Sequence, residues 1–129
     1  NGPAPVPDMT GSTEVDIRMP SVPVVGHQSG TDARNPYICG IFDLEALMPN
    51  RSSNDKHHVV KFAPYLDPTS RPYVHHIILF ACHRTTGFVH NGVTAPCEEM
   101  PDGCSEMKWA WAVGSEDLIM PAGVGMPIG

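Results

Sequence analysis

Apolar and polar side chains alternate along several short segments of the chain. The clearest alternation covers residues 14–19, EVDIRM, and a period of two is typical of a β-strand with one buried face. Further strands are predicted at residues 37–44, 57–63, 75–81 and 108–113. In the last of these, Trp109 and Trp111 are two residues apart, so we expect them on one face and in the core. The pattern indicates an all-β fold.

Two of the predicted strands repeat one motif. Residues 57–63 read HHVVKFA and residues 75–81 read HHIILFA. Lys61 in the first copy indicates a strand with one face in water. The apolar run Ile77–Ala81 in the second copy predicts a central strand that is buried on both faces.

Fourteen prolines and twelve glycines divide the chain between these segments. Residues 1–13 lack periodicity and are predicted to be an extended lead-in to one domain, residues 14–129. A long loop is predicted at residues 85–105 and a terminal turn at residues 123–127. Short strands between long loops predict a β-sandwich of antiparallel sheets.

Charge and hydropathy exclude several classes of partner. The net charge is −6, and the eight basic residues are scattered along the chain. A surface for nucleic acid or anionic lipid needs clustered positive charge, and no apolar run approaches the roughly 20 residues of a membrane-spanning helix. We therefore expect no nucleic-acid partner and no membrane span.

The cysteines and one sequon indicate the compartment. Cys39, Cys82, Cys97 and Cys104 allow two disulfides in three connectivities. Asn50 begins an N-glycosylation sequon, Asn-Arg-Ser. Disulfides persist in oxidising compartments, so the chain is predicted to be secreted or to lie in the lumen of the secretory pathway.

Histidine is the residue type that points to chemistry. The chain has seven histidines, four of them in the adjacent pairs 57/58 and 75/76. Imidazole binds copper, zinc, iron and nickel, and Cu(II) most tightly among the divalent first-row ions. Neighbouring side chains on a regular strand point to opposite faces, so a pair reaches one ion only at a bulge or at the rim of a sheet. The alternative is one packed ring and one solvated ring.

The second histidine motif, residues 75–82, closely resembles the copper-ligand strand of the copper type II ascorbate-dependent monooxygenases. This family includes peptidylglycine α-hydroxylating monooxygenase and dopamine β-monooxygenase. Other stretches resemble the same family in the same order along residues 15–129: DIRMP at 16–20, Tyr37-x-Cys39, Cys97-(x)6-Cys104 followed by WAWA at 109–112, and PAGVG at 121–125.

The resemblance implies an antiparallel β-sandwich of jelly-roll type with two disulfides, Cys39–Cys97 and Cys82–Cys104. It assigns copper as the cofactor and His75 and His76 as two ligands of the electron-transfer copper, which receives electrons from ascorbate. Tyr37 matches a family tyrosine beside this site. Its implied role is to orient a ligand ring, with ordinary packing as the alternative.

The sequence departs from the family in two respects. The family's third histidine ligand lies beyond the Gly-Val-Gly turn, and its second catalytic copper domain follows later, so the chain is expected to be incomplete at its C-terminal end and inactive alone. His57 and His58 match a pair in the dopamine-type branch that does not bind copper, which indicates a structural role. The remaining histidines, His27, His83 and His90, match no ligand position, although the 82–97 loop is an alternative source of a third ligand.

We therefore expect the N-terminal domain of an ascorbate-dependent monooxygenase that hydroxylates a C–H bond. Its partners in the complete enzyme are the second copper domain and a peptide or small amine substrate. The motif at residues 16–20 and the Gly-Val-Gly turn at residues 123–125 resemble the amidating branch, and peptidylglycine amidation is the preferred interpretation. His57-His58 and Ala112-Val113-Gly114 resemble the dopamine type, so the branch stays open. The alternatives are a non-catalytic secreted copper-binding domain and a structural or matrix domain of the same fold.

Overall fold

The computed structural model describes residue 2 and residues 8–21, 37–48, 55–83, 94–97 and 100–128. Within them the chain forms eight β-strands and one helix of four residues. In chain order the elements are β1 (Ile38–Gly40), α1 (Leu44–Leu47), β2 (His57–Val59), β3 (Lys61–Phe62), β4 (His76–Ala81), β5 (Thr94–Pro96), β6 (Glu106–Ala112), β7 (Leu118–Ile119) and β8 (Met126–Ile128). The all-β class is confirmed.

The strands pair two by two. β1 pairs with β5, β2 with β8 and β3 with β7, each antiparallel, and β4 pairs with β6. Between β2 and β3, the Val60 carbonyl accepts a hydrogen bond from the Met120 N–H at 2.9 Å. Antiparallel pairing is thus confirmed, whereas the jelly-roll arrangement stays a prediction.

The chain divides into two compact units, which we call the histidine unit and the cystine unit. The histidine unit consists of Asn1–Glu14, Asn50–Leu79 and Trp109–Gly129, and the cystine unit of Val15–Pro49 and Phe80–Lys108. The pairs β2–β8 and β3–β7 lie in the histidine unit and β1–β5 in the cystine unit. β4 and β6 contribute residues to both.

The alternating segment at residues 14–19 is not a strand, so this prediction was wrong. Residues 12–21 have no regular secondary structure, and Ile17 and Met19 are exposed. Alternation indicates that one face of a segment is apolar, but a strand also needs a partner strand for its backbone hydrogen bonds. No described strand pairs with this segment. The boundary at residue 14 between lead-in and domain stays a prediction.

The strand predicted at residues 37–44 is shorter than expected. β1 covers only Ile38–Gly40, and α1 begins at Leu44. The Asp43 carboxylate accepts a hydrogen bond from the Glu45 N–H at 2.9 Å, which caps the first turn of the helix. The aspartate before Leu-Glu-Ala-Leu is a helix-start signal that the strand pattern concealed.

The second histidine motif forms β4, but its predicted complete burial was wrong. Its residues are half-buried or exposed, and Ile78 is 40% exposed. Burial on both faces requires neighbouring strands and a layer on each side. Among the described strands, β4 pairs with β6 alone.

Two segments predicted to be irregular contain strands. The loop predicted at residues 85–105 includes β5, which supplies the partner of β1. At the C-terminal end, the Val124 N–H donates to the Pro121 carbonyl at 3.0 Å, and Gly123 has a φ of 77°. The turn therefore lies earlier than predicted, and β8 follows it.

Two hydrophobic residues are buried among the described residues, one in each unit. Cys104 is 1% exposed and Trp111 is 8% exposed. Trp109 is half-buried and stacks on Phe62, with ring centroids 5.6 Å apart and planes 11° apart. Both tryptophans of β6 thus pack within the histidine unit.

All four cysteines form disulfides within the cystine unit. Cys39 bonds to Cys97 and Cys82 bonds to Cys104, and no cysteine is free. These are the pairs that the family resemblance implies.

Candidate functional site

The second histidine pair lies in an open groove of the histidine unit. The groove has a volume of about 390 Å³. It is formed where the beginning of β4 meets the end of β6 and the residues that follow it, and we call it the histidine groove. Its lining residues are His75, His76, Ile78, Ala110, Trp111, Ala112 and Ser115.

The second histidine pair lies at the beginning of β4. His76 is the first residue of the strand, and His75 precedes it, so the two are not both inside the regular strand, where neighbouring side chains point to opposite faces. Both residues are exposed, so neither is packed in the core.

A short turn after β6 holds the backbone beside this pair. The Val113 N–H donates to the His75 carbonyl at 3.1 Å, and the Ser115 N–H donates to the Ala112 carbonyl at 2.9 Å. The Trp111 Nε1–H donates to the Ser115 carbonyl at 3.1 Å. The strand pattern predicts Trp111 in the core but does not predict its hydrogen bond to the turn. Gly114, which forms this turn, is the residue in the sequence that could have indicated it.

The chemistry of the groove fits the predicted copper in part. Imidazole is a ligand that copper prefers, and His75 and His76 would supply two such groups. No group of three or more His, Cys, Asp or Glu side chains that could hold a metal occurs in the part of the chain that the structure describes. His75 and His76 thus fit the metal but do not complete its ligand set.

The first histidine pair has a different environment. On β2, His57 is half-buried and His58 is exposed, as expected for neighbours on a regular strand. The Nε2 atom of His57 is buried without a hydrogen-bond partner. Gly125 lies so close that a Cβ atom there would be 2.7 Å from the Cβ of His58. His58 is thus packed against the turn before β8.

His83 belongs to an exposed charge cluster of the cystine unit. Its Nε2 atom lies 3.1 Å from a carboxylate oxygen of Glu106, whose other oxygen accepts a hydrogen bond from Lys108. Lys108, chiefly through this hydrogen bond, lowers the pKa of Glu106 below its ordinary value of 4.5.

Of the remaining predicted site residues, only Tyr37 is among those that the structure describes. Tyr37 belongs to the cystine unit, where its carbonyl accepts a hydrogen bond from the Cys97 N–H at 3.0 Å, so its role beside the histidine pair stays a prediction. Asn50, His27 and His90 lie outside the described residues.

Comparison with known proteins identifies the family. The family model for the N-terminal domain of copper type II ascorbate-dependent monooxygenases matches residues 15–129. Human DBH-like monooxygenase protein 1 is 30% identical over 98 residues, which are 72% of this chain and 15% of that protein.

Two further relatives carry more specific names. Tyramine beta-hydroxylase of Caenorhabditis briggsae is 29% identical over 64% of this chain and 14% of its own length. Bovine dopamine beta-hydroxylase is 24% identical over 97% of this chain and 19% of its own length. No solved structure matches the chain significantly.

This chain therefore spans less than a fifth of the length of these relatives. No helix among the described residues is long and apolar enough to cross a membrane. Because the family model covers nearly the whole chain, the chain belongs to the copper type II ascorbate-dependent monooxygenases, as part of their N-terminal domain.

Proposed function

We propose that this chain carries the electron-transfer copper of a monooxygenase and that His75 and His76 bind it. One observation carries the proposal: His75 and His76 are consecutive exposed residues that line one groove of a chain that belongs to a copper-dependent family. The complete protein would use the electrons supplied through this site to hydroxylate a C–H bond.

The residues of the groove have distinct parts in this function. His75 and His76 would hold the ion through imidazole nitrogens, and the open side of the groove would leave it within reach of an electron donor. Ile78, Ala110 and Ala112 provide an apolar lining. The bound copper supplies one-electron redox chemistry, with ascorbate as the donor that the family description names.

Copper titration of the 129-residue chain tests the proposal. We expect one Cu(II) per chain, with two imidazole nitrogens visible in the pulsed EPR spectrum. His75→Ala and His76→Ala should each raise the dissociation constant for copper by at least about tenfold, because even the loss of an outer-shell partner of a metal site costs 10–100-fold.

The first histidine pair provides a matched control. His58→Ala removes an exposed imidazole from the same unit and should leave copper affinity and the EPR spectrum unchanged. Equal weakening by His58→Ala, or full binding after loss of both His75 and His76, would contradict the proposal. Stoichiometric binding without electron transfer in the full-length protein would favour the non-catalytic copper-binding domain instead.

The substrate of the complete protein is proposed to be a small aromatic amine. Residues 16–20 and 121–125 resemble the amidating branch, but these are short motifs. The tyramine and dopamine hydroxylases match 64% and 97% of the chain, which favours an amine. Hydroxylation assays of the full-length protein with phenethylamines and with glycine-extended peptides distinguish the two, and faster turnover of the peptide would overturn this choice.

The two disulfides support a location in the secretory pathway or outside the cell, where cystines persist. Asn50 is the proposed glycosylation site. A mass shift on treatment of the secreted protein with an N-glycosidase, absent from Asn50→Gln, tests this assignment.

A further inference from the structure

We propose that Trp111 is a positioning residue for the His75–His76 pair, because its indole N–H anchors the turn that holds the backbone of His75. The inference rests on the proposed function, since the position of this pair matters for copper only if the pair binds copper. It adds a residue whose side chain need not contact the metal.

The backbone of His75 needs support from outside β4. His75 precedes the first residue of the strand. Its carbonyl instead accepts the hydrogen bond from the Val113 N–H at 3.1 Å. Val113 follows the last residue of β6, so the position of this donor depends on the turn formed by residues 112–115.

Trp111 closes that turn. Its indole N–H donates to the Ser115 carbonyl at 3.1 Å, four residues ahead, while the Ser115 N–H donates to the Ala112 carbonyl at 2.9 Å. Gly114, inside the turn, has a φ of 91°, a conformation that glycine adopts readily and other residues do not.

The burial of Trp111 makes this anchor rigid. At 8% exposure it is one of the two buried hydrophobic residues of the described chain. A buried indole N–H requires a hydrogen-bond partner, and the packed ring fixes the direction of its donor. Trp111 also lines the histidine groove. One residue thus forms part of the groove and holds, through its indole, the turn that supports His75.

Loosening the turn should change the copper site without removing a ligand. Groups that orient metal ligands typically change metal affinity by 10–100-fold when they are lost. Trp111 acts through the turn rather than directly on a ring, so we expect about a tenfold weaker affinity. The Cu(II) EPR signal should broaden because the imidazole of His75 samples more orientations.

Three substitutions in the 129-residue chain test this inference. Trp111→Phe keeps an aromatic ring but loses the N–H donor. Gly114→Ala keeps the indole but strains the turn through the positive φ alone, since a Cβ there meets no atom within 4 Å. Trp109→Phe is the matched control, because this indole lies on the same strand but stacks on Phe62 outside the groove.

The measurements are the dissociation constant for Cu(II), the EPR spectrum and the thermal unfolding midpoint of each variant. We expect weaker binding and an altered spectrum for Trp111→Phe and Gly114→Ala, and parent-like copper properties for Trp109→Phe. A Trp111→Phe variant that unfolds earlier but has the parent's spectrum and affinity would show a purely structural role and overturn the inference.

The histidine variants separate this test from that of the proposed function. If His75→Ala abolishes copper binding while Trp111→Phe binds normally, the inference fails and the proposed function stands. If neither histidine variant affects binding, the proposed function itself fails.

Discussion

At the scale of single residues, Glu106 offers a direct test of the exposed charge cluster. Its carboxylate accepts a hydrogen bond from Lys108 and pairs with His83. The hydrogen bond from Lys108 is the largest cause of its lowered pKa, and the charges of Lys108 and His83 act in the same direction. The carboxylate is therefore favoured in the folded chain.

This shift gives stability a defined pH dependence. The pKa of Glu106 is lower in the folded chain than its ordinary value of 4.5. The ionised carboxylate therefore stabilises the folded chain fully above pH 4.5, and this stabilisation is lost as the pH falls through the folded pKa. In an NMR titration of the Glu106 carboxyl carbon, Lys108→Met should raise the pKa towards 4.5. His83→Gln should raise the pKa of Glu106 less than Lys108→Met does. A larger rise for His83→Gln would contradict the assignment of Lys108 as the main cause.

Residue identities alone predicted only part of the site. The histidine pair was identified because its motif resembles a family sequence. The contribution of Trp111 was missed because its hydrogen bond to Ser115 depends on the turn at Gly114, and a strand pattern assigns an indole to the core without specifying where its N–H points.

At the scale of elements, apolar patterns predicted strands well where a partner strand exists. Paired strands form at residues 57–59, 61–62, 76–81 and 106–112. Residues 14–19 show the clearest alternation but have no partner among the described strands. Hydrophobic periodicity records which face of a segment is apolar, whereas pairing depends on residues far away in the chain, which a single sequence does not specify.

The contact between β3 and β6 provides a prediction at this scale. Phe62 and Trp109 stack with ring centroids 5.6 Å apart, and such pairs contribute roughly 0.5–1.5 kcal/mol beyond the area they bury. A double-mutant cycle of Phe62→Leu and Trp109→Leu, measured by urea unfolding, should give a coupling energy of about 1 kcal/mol. The same cycle with Trp111→Leu is the control and should give a smaller coupling. Equal couplings would mean that the stack is not a specific contact.

At the scale of the whole molecule, the two units are stabilised in different ways. Both disulfides lie in the cystine unit. The histidine unit instead has the stacked pair on β3 and β6, the buried indole of Trp111 and the exposed ion pair of Lys61 with Asp117 at 3.2 Å. An exposed ion pair contributes at most about 1 kcal/mol, so it adds little to the histidine unit beside the aromatic packing. The proposed copper site therefore lies in the unit that contains no cysteine.

The disulfides should contribute to stability for two different reasons. Cys39 and Cys97 are 58 residues apart, and Cys82 and Cys104 are 22 apart. Restriction of the unfolded chain then gives about 4 kcal/mol for the first bridge and about 3 kcal/mol for the second. Cys104 is also almost completely buried, so its truncation leaves a cavity that costs about 1 kcal/mol more.

Urea unfolding of paired substitutions separates the two reasons. Cys39→Ala with Cys97→Ala, and Cys82→Ala with Cys104→Ala, should each lower the free energy of unfolding by about 4 kcal/mol. Placing valine instead of alanine at position 104 should recover about 1 kcal/mol by refilling the cavity. Valine at position 97 should recover less, because Cys97 is only half-buried. A loss below about 1 kcal/mol for the longer loop would contradict chain restriction as the main contribution of that bridge.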